Sequence, residues 1–397
     1  MRKKTYFITW LVAAILLTTM PAELRCELAT YYDEPDTAFA SNIAIDIIEH
    51  NDGIWFATGE GLSFTLDSGA TWLLYRSSNG LVSENLSALF SIDGRLWVAT
   101  NHEVTVGDQL ITMSDGISYT DNGGDFWTQV DFDALGFEGE YSLWGVDRTV
   151  YDIAGWDNVD DPAGLGQWRS FAAFAGGMLA SRDGGTNWRR IFPSQTDSIN
   201  YFSGLPLNYA NRAFSCVADT THGDSLYLWS GTADGLYQYI FALPREKQYA
   251  AKRVNAIAYS DVATNDDDNY LFYAGDVGVT RGIRTGGPYI SRFVIDGLPG
   301  AYVSSIIVLG GKVLVGTMDG ADGSSTGLAV STDMGDSYQA QSSFTDVIGA
   351  DREISDFATM GSRLHLAGEE AGLFVSADTG QSWTHMWVDA TDTTATN

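Results

Sequence analysis

Short apolar runs recur along this chain, each bounded by Gly, Asp, Asn or Ser. Within the run from Asn42 to Ile48, apolar side chains alternate with small or polar ones, which is the two-residue period of a β-strand. The next run, Ile54 to Thr58, follows Asp52-Gly53, a pair typical of a hairpin turn. Beyond the N-terminal segment, no stretch combines a helical period with credible caps. The pattern therefore predicts an all-β chain of short antiparallel strands.

The strand pattern repeats in seven units, each expected to hold four strands, which we label a to d from the centre outwards. Unit two has an inserted loop that ends at Asp115, and the turn of unit six is predicted at Gly311-Lys312. Units four and five match the pattern only in part. Seven such units predict a seven-bladed β-propeller of four-stranded antiparallel blades. The units cover residues 41–75, 86–130, 142–192, 213–241, 254–294, 303–340 and 354–388.

Five units also contain an eight-residue motif: Ser or Thr, then Asp or Asn two positions later, Gly at four and an aromatic residue at seven. The carboxylate or amide can accept hydrogen bonds from N–H groups of its own turn, and the Gly can adopt a positive φ. The aromatic ring can fold back over its own blade. We predict that these motifs are structural c–d hairpins. Their residues are Asp67, Gly69, Trp72, Asn122, Gly124, Trp127, Asp183, Gly185, Trp188, Asp333, Gly335, Tyr338, Asp378, Gly380 and Trp383.

These motifs resemble the Asp-box, or BNR, repeats of sialidase-like β-propellers. The resemblance implies a propeller whose boxes lie on the face opposite the binding site, and it bears on fold far more than on function. A second resemblance, carried by Asp52 to Leu62 and by Gly80 to Thr100, is to two-component-regulator propeller repeats. Those repeats build periplasmic sensor propellers. No transmembrane exit or kinase follows them here, so the sensory role is not carried over.

The N-terminus is predicted to be a secretory signal peptide, because a basic start at residues 2–4 precedes an apolar run to Met20. An uncleaved membrane anchor is the alternative. A polar leader follows, which is either loose or a strand that pairs with the last blade. We expect a secreted or periplasmic monomer. The chain divides into signal peptide (1–22), leader (23–40), propeller (41–388) and disordered tail (389–397).

The chain is strongly acidic, with 51 Asp and Glu against 22 Lys and Arg and a net charge of −29. Such a surface repels nucleic acid and anionic membranes. Solubility in a salty medium is the favoured explanation, calcium in Asp-rich loops is the alternative, and no other cofactor is indicated. Cys26 and Cys216 could form one bridge in a secreted protein, although the apolar strand around Cys216 favours a buried thiol.

Catalytic residues are not evident. A sialidase would need an arginine cluster with one member in an early Arg-Ile-Pro motif, a Tyr–Glu nucleophile pair and an Asp acid/base. No arginine lies between Arg25 and Arg76. The segment most similar to the Arg-Ile-Pro motif, Arg190 to Pro193, follows a box, which is the wrong place in a blade. The five histidines are scattered without metal-ligand spacing and are expected on strand or turn surfaces. We therefore predict no catalytic residue and no metal site, with a divergent glycoside hydrolase as the alternative.

Binding is the better-supported function. In a propeller the b–c and d–a connections share one face, and loop length points to unit three, which has the longest b–c insertion and the longest following connection. Aromatic rings beside Asp suit a glycan or protein ligand. The alternative is that these rings only pack their own loops. The predicted binding residues are Trp156, Asp157, Trp168, Tyr201, Phe202 and Tyr209.

Overall fold

The structure, a computed structural model, shows seven four-stranded antiparallel sheets, and in each sheet the strands follow one another along the chain. The seven-bladed all-β propeller predicted from the sequence is therefore confirmed. The residues described are 35, 40–41, 43–92, 94–106, 109–130, 149–156, 169–174, 177–181, 185, 187–191, 213–222, 225–240, 243–249, 253–260, 270–283, 292–318, 326–341, 353–368 and 372–386.

The strands, in chain order and four to a blade, are as follows. Blade 1 holds β1 (Ala44–His50), β2 (Gly53–Thr58), β3 (Gly61–Thr65) and β4 (Leu73–Tyr75); blade 2 holds β5 (Leu86–Ile92), β6 (Arg95–Val106), β7 (Gln109–Thr120) and β8 (Thr128–Val130). Blade 3 holds β9 (Val150–Trp156), β10 (Arg169–Phe174), β11 (Gly177–Ser181) and β12 (Trp188–Ile191); blade 4 holds β13 (Ala213–His222), β14 (Ser225–Thr232), β15 (Gly235–Ile240) and β16 (Leu243–Tyr249). Blade 5 holds β17 (Val254–Ser260), β18 (Tyr270–Gly275), β19 (Gly278–Ile283) and β20 (Arg292–Val294). Blade 6 holds β21 (Val303–Leu309), β22 (Lys312–Thr317), β23 (Gly327–Ser331) and β24 (Gln339–Ala340); blade 7 holds β25 (Ile354–Met360), β26 (Arg363–Gly368), β27 (Gly372–Ser376) and β28 (Thr384–Met386).

The b strands are apolar runs because blades pack on both of their faces. Strand β2 is buried at all six positions, and Trp55 and Phe56 on it are 1% and 0% exposed. Such continuous burial removes the alternation that a strand with one solvated face would show. The core is therefore distributed between the blades, as a series of clusters that each join two neighbours.

Within the described residues, the first and last blades do not exchange strands where the ring closes. Blade 7 consists of β25 to β28 and blade 1 of β1 to β4, and side-chain contacts join them. The Ser355 hydroxyl donates to the carbonyl of Ala44 at 2.6 Å, and Arg363 Nη1 donates to Ser68 Oγ at 2.7 Å. An apolar cluster that contains Phe56 of blade 1 and Leu373 of blade 7 fills the interior of this seam.

Two hairpin turns lie one residue earlier than predicted. His50 pairs with Gly53, so the loop is Asn51-Asp52, with φ of 50° and 62°. Leu309 pairs with Lys312, so the other loop is Gly310-Gly311, with φ of 53° and 89°. A two-residue turn of this type needs a positive φ at both positions, which Gly, Asn and Asp tolerate and Lys does not.

Two further predictions need correction. The insertion of unit two is a two-stranded ribbon, because Asn101–Val106 of β6 continue to pair with Gln109–Ser114 of β7 beyond the blade. Unit four does not end at residue 241, because its fourth strand, β16, runs to Tyr249. That strand lacks a box and pairs irregularly with β15, so nothing in its sequence matched the pattern of the other units.

Candidate functional site

The two faces of the propeller differ in how the chain turns. We call the end where the a strands begin, marked in blade 1 by Ala44, Thr58 and Gly61, the loop face. The opposite end, marked by His50, Gly53 and Thr65, is the box face, because the box hairpins follow the c strands there. The loop face carries the b–c and d–a connections.

Each described box is a closed hydrogen-bond network. The Asp67 carboxylate accepts from Thr71 N at 2.8 Å and Thr65 Oγ1 at 2.9 Å, while Gly69 N donates to that same hydroxyl at 2.9 Å. Equivalent bonds recur around Asn122, Asp333 and Asp378. The Ser337 side chain and backbone hold the pKa of Asp333 at about 2. Asp183 lies outside the described residues.

The box glycines receive side chains from the preceding blade. A Cβ at Gly124 would lie 2.8 Å from Tyr75 of blade 1, and one at Gly335 would lie 2.7 Å from Phe272 of blade 5. A Cβ at Gly185 would overlap the Trp97 ring of blade 2. A Cβ at Gly380 would likewise meet Leu314 of blade 6, and one at Gly69 would meet Met386 of blade 7. Each of these glycines therefore occupies a joint between blades.

The box aromatics also bridge blades, so the expectation that each ring packs on its own blade is too narrow. Trp127 is 1% exposed and contacts Trp55 and Tyr75 of blade 1, with ring centroids 6.4 and 6.0 Å apart. Trp188 contacts Trp97 of blade 2 at 5.8 Å. Tyr338 belongs to a cluster shared with blade 5, and Trp72 contacts Phe56 of its own blade at 6.4 Å within a cluster shared with blade 7. Trp383 is only partly buried.

Cations from the preceding blade complete the joints. Arg281 Nη2 donates to Asp336 Oδ1 at 2.7 Å and Nη1 to the carbonyl of Met334, while Lys312 Nζ lies 3.4 Å from the carbonyl of Thr379. The fourth position of these boxes has a positive φ of 56° to 59°, and it is occupied by Ser68, Met334 or Thr379. Much of the polar surface of the box hairpins is thus used between blades.

The six predicted binding residues fall largely outside the described part of the chain. Trp156 is the last residue of the a strand β9 and pairs with Arg169, the first residue of the b strand β10, so it lies at the box face. Residues 157–168 therefore join an a strand to a b strand, whereas only residues 175–176 separate β10 from β11, and the predicted b–c position of this insertion is wrong. The others, Asp157, Trp168, Tyr201, Phe202 and Tyr209, lie outside the described residues. The placement of the last three on the loop face, in the connection from β12 to β13, remains a prediction.

The structure adds a site that the sequence analysis missed, the central channel. Every a strand has a β-bulge at its second residue, just inside the loop face. A bulge places two consecutive residues opposite one on the partner strand and redirects their side chains. The bulge residues line a cavity of about 520 Å³. They are Ile45, Ser87, Tyr151, Phe214, Asn255, Ser304 and Ser355.

The bulge residues divide the channel wall into two kinds of surface. On blades 5 to 7, Asn255, Ser304 and Ser355 donate to the first carbonyl of the next a strand, at 3.1, 2.5 and 2.6 Å. On blades 3 and 4, the half-buried rings of Tyr151 and Phe214 lie 5.1 Å apart. One side of the mouth is therefore aromatic and the other is polar.

Three carboxyl groups lie directly beyond the bulges. Asp46 accepts from Ile47 N at 2.7 Å and from Leu89 N of the next blade at 2.6 Å. Asp152 repeats this geometry, with Ile153 N and Cys216 N of the next blade both at 2.8 Å. Asp356 forms a side-chain hydrogen bond with Asp46 across the seam of the ring. The acids therefore join blades as well as lining the channel.

The channel disfavours ionisation of these acids. Burial raises the pKa of Asp152 to about 8, and the charge of Asp46 adds to the rise. Burial and then the charge of Asp46 raise the pKa of Asp356 well above its ordinary value. Each side chain keeps partial exposure to the channel, yet protein encloses it closely enough to limit hydration. A hydrogen bond between two carboxyl groups needs a proton on one of them, so Asp46 and Asp356 share a proton while this bond is present.

Replacing Asp356 with Asn should stabilise the ring at alkaline pH. A raised folded-state pKa gives stability that is present below the unfolded value and is lost as the pH rises through the folded value. In wild type the loss should begin near about pH 4 and continue upwards, whereas a neutral amide cannot ionise. We expect Asp356→Asn to raise the unfolding free energy near pH 8.5 by on the order of 1–3 kcal/mol, measured by urea titration.

The gain of Asp356→Asn should vanish near about pH 4, where wild type is protonated as well. Asp296→Asn, which removes an exposed acid of blade 5, serves as the control and should leave the pH profile unchanged. Parallel profiles for Asp356→Asn and wild type would contradict a shared proton at the seam.

One pair of channel acids, Asp46 and Asp356, does not have the spacing of a glycoside hydrolase. Such enzymes hold two carboxyl groups about 5–5.5 Å apart, or about 6.5–9.5 Å apart, with the substrate between them. Asp46 and Asp356 instead contact each other directly. Among the described residues that line the channel there is no Lys or Arg to bind an acidic sugar.

Two histidines depart from the expected surface positions. His50 and His365 are 3% and 1% exposed. The His50 ring bonds to Ser91 and Asn51 at the end of β1, whereas burial, and secondarily the charge of Arg363, lower the pKa of His365 to about 4. No cluster of His, Cys, Asp or Glu that could hold a metal occurs within the described ranges. Cys216 is a buried free thiol, as the strand pattern favoured.

Comparison with known proteins places the chain by fold alone. No protein-family model and no curated protein matches it. The extracellular domain assigned to the hybrid two-component system BT3049 of B. thetaiotaomicron has a TM-score of 0.54 and 14% identity, over 86% of this chain and 41% of that one. YCF48 from Cyanidioschyzon merolae has a TM-score of 0.53 and 13% identity, over 86% and 98%. The corresponding BT4673 domain has a TM-score of 0.50 and 15% identity, over 87% and 40%.

The chain thus spans about two-fifths of the length of the two sensor domains and nearly all of YCF48. Its similarity to all three is limited to the propeller fold. As for the membrane, the described residues include no helix that is long and apolar enough to span one.

Proposed function

We propose that this chain is a secreted, non-catalytic binding module that takes a glycan or polypeptide ligand on its loop face. The observation that carries the proposal is the mouth of the channel, where half-buried aromatic rings stand beside hydrogen-bonding groups in a cavity of about 520 Å³. Ligand sites are typically concave and combine apolar walls with a few placed polar groups.

The box face supports the proposal by contrast. Its hairpins repeat one network, and their polar groups are largely engaged within the box or with the preceding blade. Repeated turns of this kind suit stability, whereas variable connections on one face of a repeat fold are where selectivity is usually built. We place Tyr201, which lies in the d–a connection from β12 to β13, at the rim of the loop face, as the sequence predicts.

Secretion belongs to the same proposal. It rests on the signal-like residues 1–22, and the similarity to extracellular sensor domains is consistent with it. A divergent glycoside hydrolase is the competing function. Hydrolysis assays on the ligands that bind would distinguish the two, because a binding module releases its ligand unchanged.

The test is a glycan and peptide array probed with the propeller, followed by variants of the rim. Tyr201→Ala and Tyr209→Ala should each weaken binding of the ligand found, by about 1–4 kcal/mol, because aromatic side chains are frequent hot spots of binding surfaces. The melting temperature should change little. Phe293→Ala, which removes a ring that is 50% exposed on edge strand β20, is the matched control and should bind as wild type.

Two results would count against this location. One is unchanged affinity in both rim variants, and the other is a ligand that maps to the box hairpins.

A further inference from the structure

The channel has a chemistry of its own beneath the loops. Its mouth carries the rings of Tyr151 and Phe214, and one residue deeper it carries the carboxyl groups of Asp46, Asp152 and Asp356. The Arg253 guanidinium lies 4.1 Å from the centre of the Phe214 ring and occupies one face of it, so the mouth already holds one cation against an aromatic ring.

Two buried polar atoms on residues of the channel wall have no hydrogen-bond partner in the described part of the chain. One is the hydroxyl of Ser215, a residue that is 4% exposed, and the other is the amide oxygen of Asn255. Buried polar groups without a partner are uncommon and call for an explanation. A hydrogen-bond donor from a ligand would satisfy the Asn255 oxygen. A second hydrogen bond from the ligand would satisfy the Ser215 hydroxyl.

The channel is also deep. Its lining follows strand β1 from Ile45 to Glu49, which at about 3.3 Å per residue is roughly 13 Å. A linear side chain fits such a depth, and an aromatic mouth above carboxyl groups stabilises a cation at both levels. The net charge of −29 attracts cationic partners over longer distances.

We propose that the channel accepts the cationic side chain of an arginine or lysine from a polypeptide ligand. The proposal rests on the binding function above and specifies the ligand group that enters the channel. Of the two ligand classes, it therefore selects the polypeptide.

The pH dependence of binding gives a second readout. The titratable and charged groups of the described channel wall are Asp46 and Glu49 from β1, Tyr151 and Asp152 from β9, Cys216 from β13 and Asp356 from β25, with Arg253 against the Phe214 ring at the mouth. Burial raises the pKa of the Cys216 thiol, so it stays neutral. A cation beside the aspartates favours their ionised forms, so its binding releases protons, and its affinity rises with pH up to the pKa of Asp152 near 8. A neutral ligand would not show this rise.

The experiment compares three capped pentapeptides in which arginine, lysine or citrulline stands between glycines. Citrulline keeps the shape of arginine and removes its charge. Titration calorimetry should give about tenfold tighter binding for the two cationic peptides than for citrulline, and tighter binding near about pH 8 than near about pH 6. The release of protons should appear as a heat that depends on the buffer.

Two variants test the channel directly. Asp152→Asn keeps an oxygen for Cys216 N and should weaken the arginine peptide about tenfold, whereas the control Asp296→Asn should not change its affinity. Phe214→Leu keeps apolar bulk without the ring face and should also weaken it. Melting temperatures show whether each variant is folded. If Asp152→Asn does not fold, Phe214→Leu provides the test of the channel.

Equal affinity for the arginine and citrulline peptides, or full affinity in the folded variants, would overturn the cation site. If those peptides fail while the array yields a ligand on the loops, the channel inference is wrong and the binding function stands. If the array also yields no ligand, both fail.

Discussion

Trp127→Ala should lower the free energy of unfolding by about 3–5 kcal/mol, the usual cost of truncating a fully buried tryptophan. Its ring is 1% exposed and lies in a cluster with Trp55 and Tyr75 of the preceding blade. The substitution would leave a cavity at a joint between two blades. The surrounding strands cannot fill this cavity without shifting from their positions. Urea unfolding followed by tryptophan fluorescence would measure the loss.

Trp383→Ala is the matched control, because the same motif position in blade 7 is only partly buried. Its loss should be clearly smaller than that of Trp127→Ala. Equal losses would mean that the turn itself, and not the bridging ring, sets the contribution of a box tryptophan.

Gly185→Ala should be the second strongly destabilising change, with a loss of roughly 2–4 kcal/mol from overpacking and backbone strain. The residue has a φ of +88°, and an added Cβ would overlap the buried Trp97 ring of blade 2. Because Trp97 is fully buried, its ring has little room to withdraw. The melting temperature would register the effect.

Gly94→Ala separates the two causes. Gly94 has a φ of +79°, but a Cβ there would meet nothing within 4 Å. It should cost only the backbone strain of about 1 kcal/mol. If both alanine variants lose the same stability, the contact of Gly185 with the preceding blade contributes nothing. The interpretation of Gly185 as a joint between blades would then be wrong.

The blade count was predictable because the signals that define a blade are local. Turns such as Asn51-Asp52, the apolar b strands and the box motif all lie within a few residues of one another. The exact turn positions were harder, since shifting a turn by one residue changes no composition. Blade 4 shows the limit most clearly, because its outer strand Leu243–Tyr249 carries no local signal.

The channel could not be predicted, because its features depend on contacts between distant residues. Asp46 fits the polar position of an ordinary alternating strand, and only the ring brings it to Leu89 and Asp356. The bulge of β1 leaves no trace in the sequence, since Ile45 and Asp46 fit the alternation, and only their shared partial burial and the shift in strand pairing reveal the extra residue. The predicted binding residues Tyr201, Phe202 and Tyr209 still await a test. Trp156 was assigned to the wrong face, because the strand pattern did not show that residues 157–168 join an a strand to a b strand.

The uninterrupted order of strands within each blade has a mechanical consequence. Six of the joints between blades are also bridged by the peptide chain, whereas the seam between blades 7 and 1 is held, among the described residues, by side-chain hydrogen bonds and apolar packing. The described strands of each blade all belong to that blade, so a blade can detach without withdrawing a strand from its neighbour. Tension applied to residues 44 and 386 should therefore open the seam first and then detach whole blades one after another.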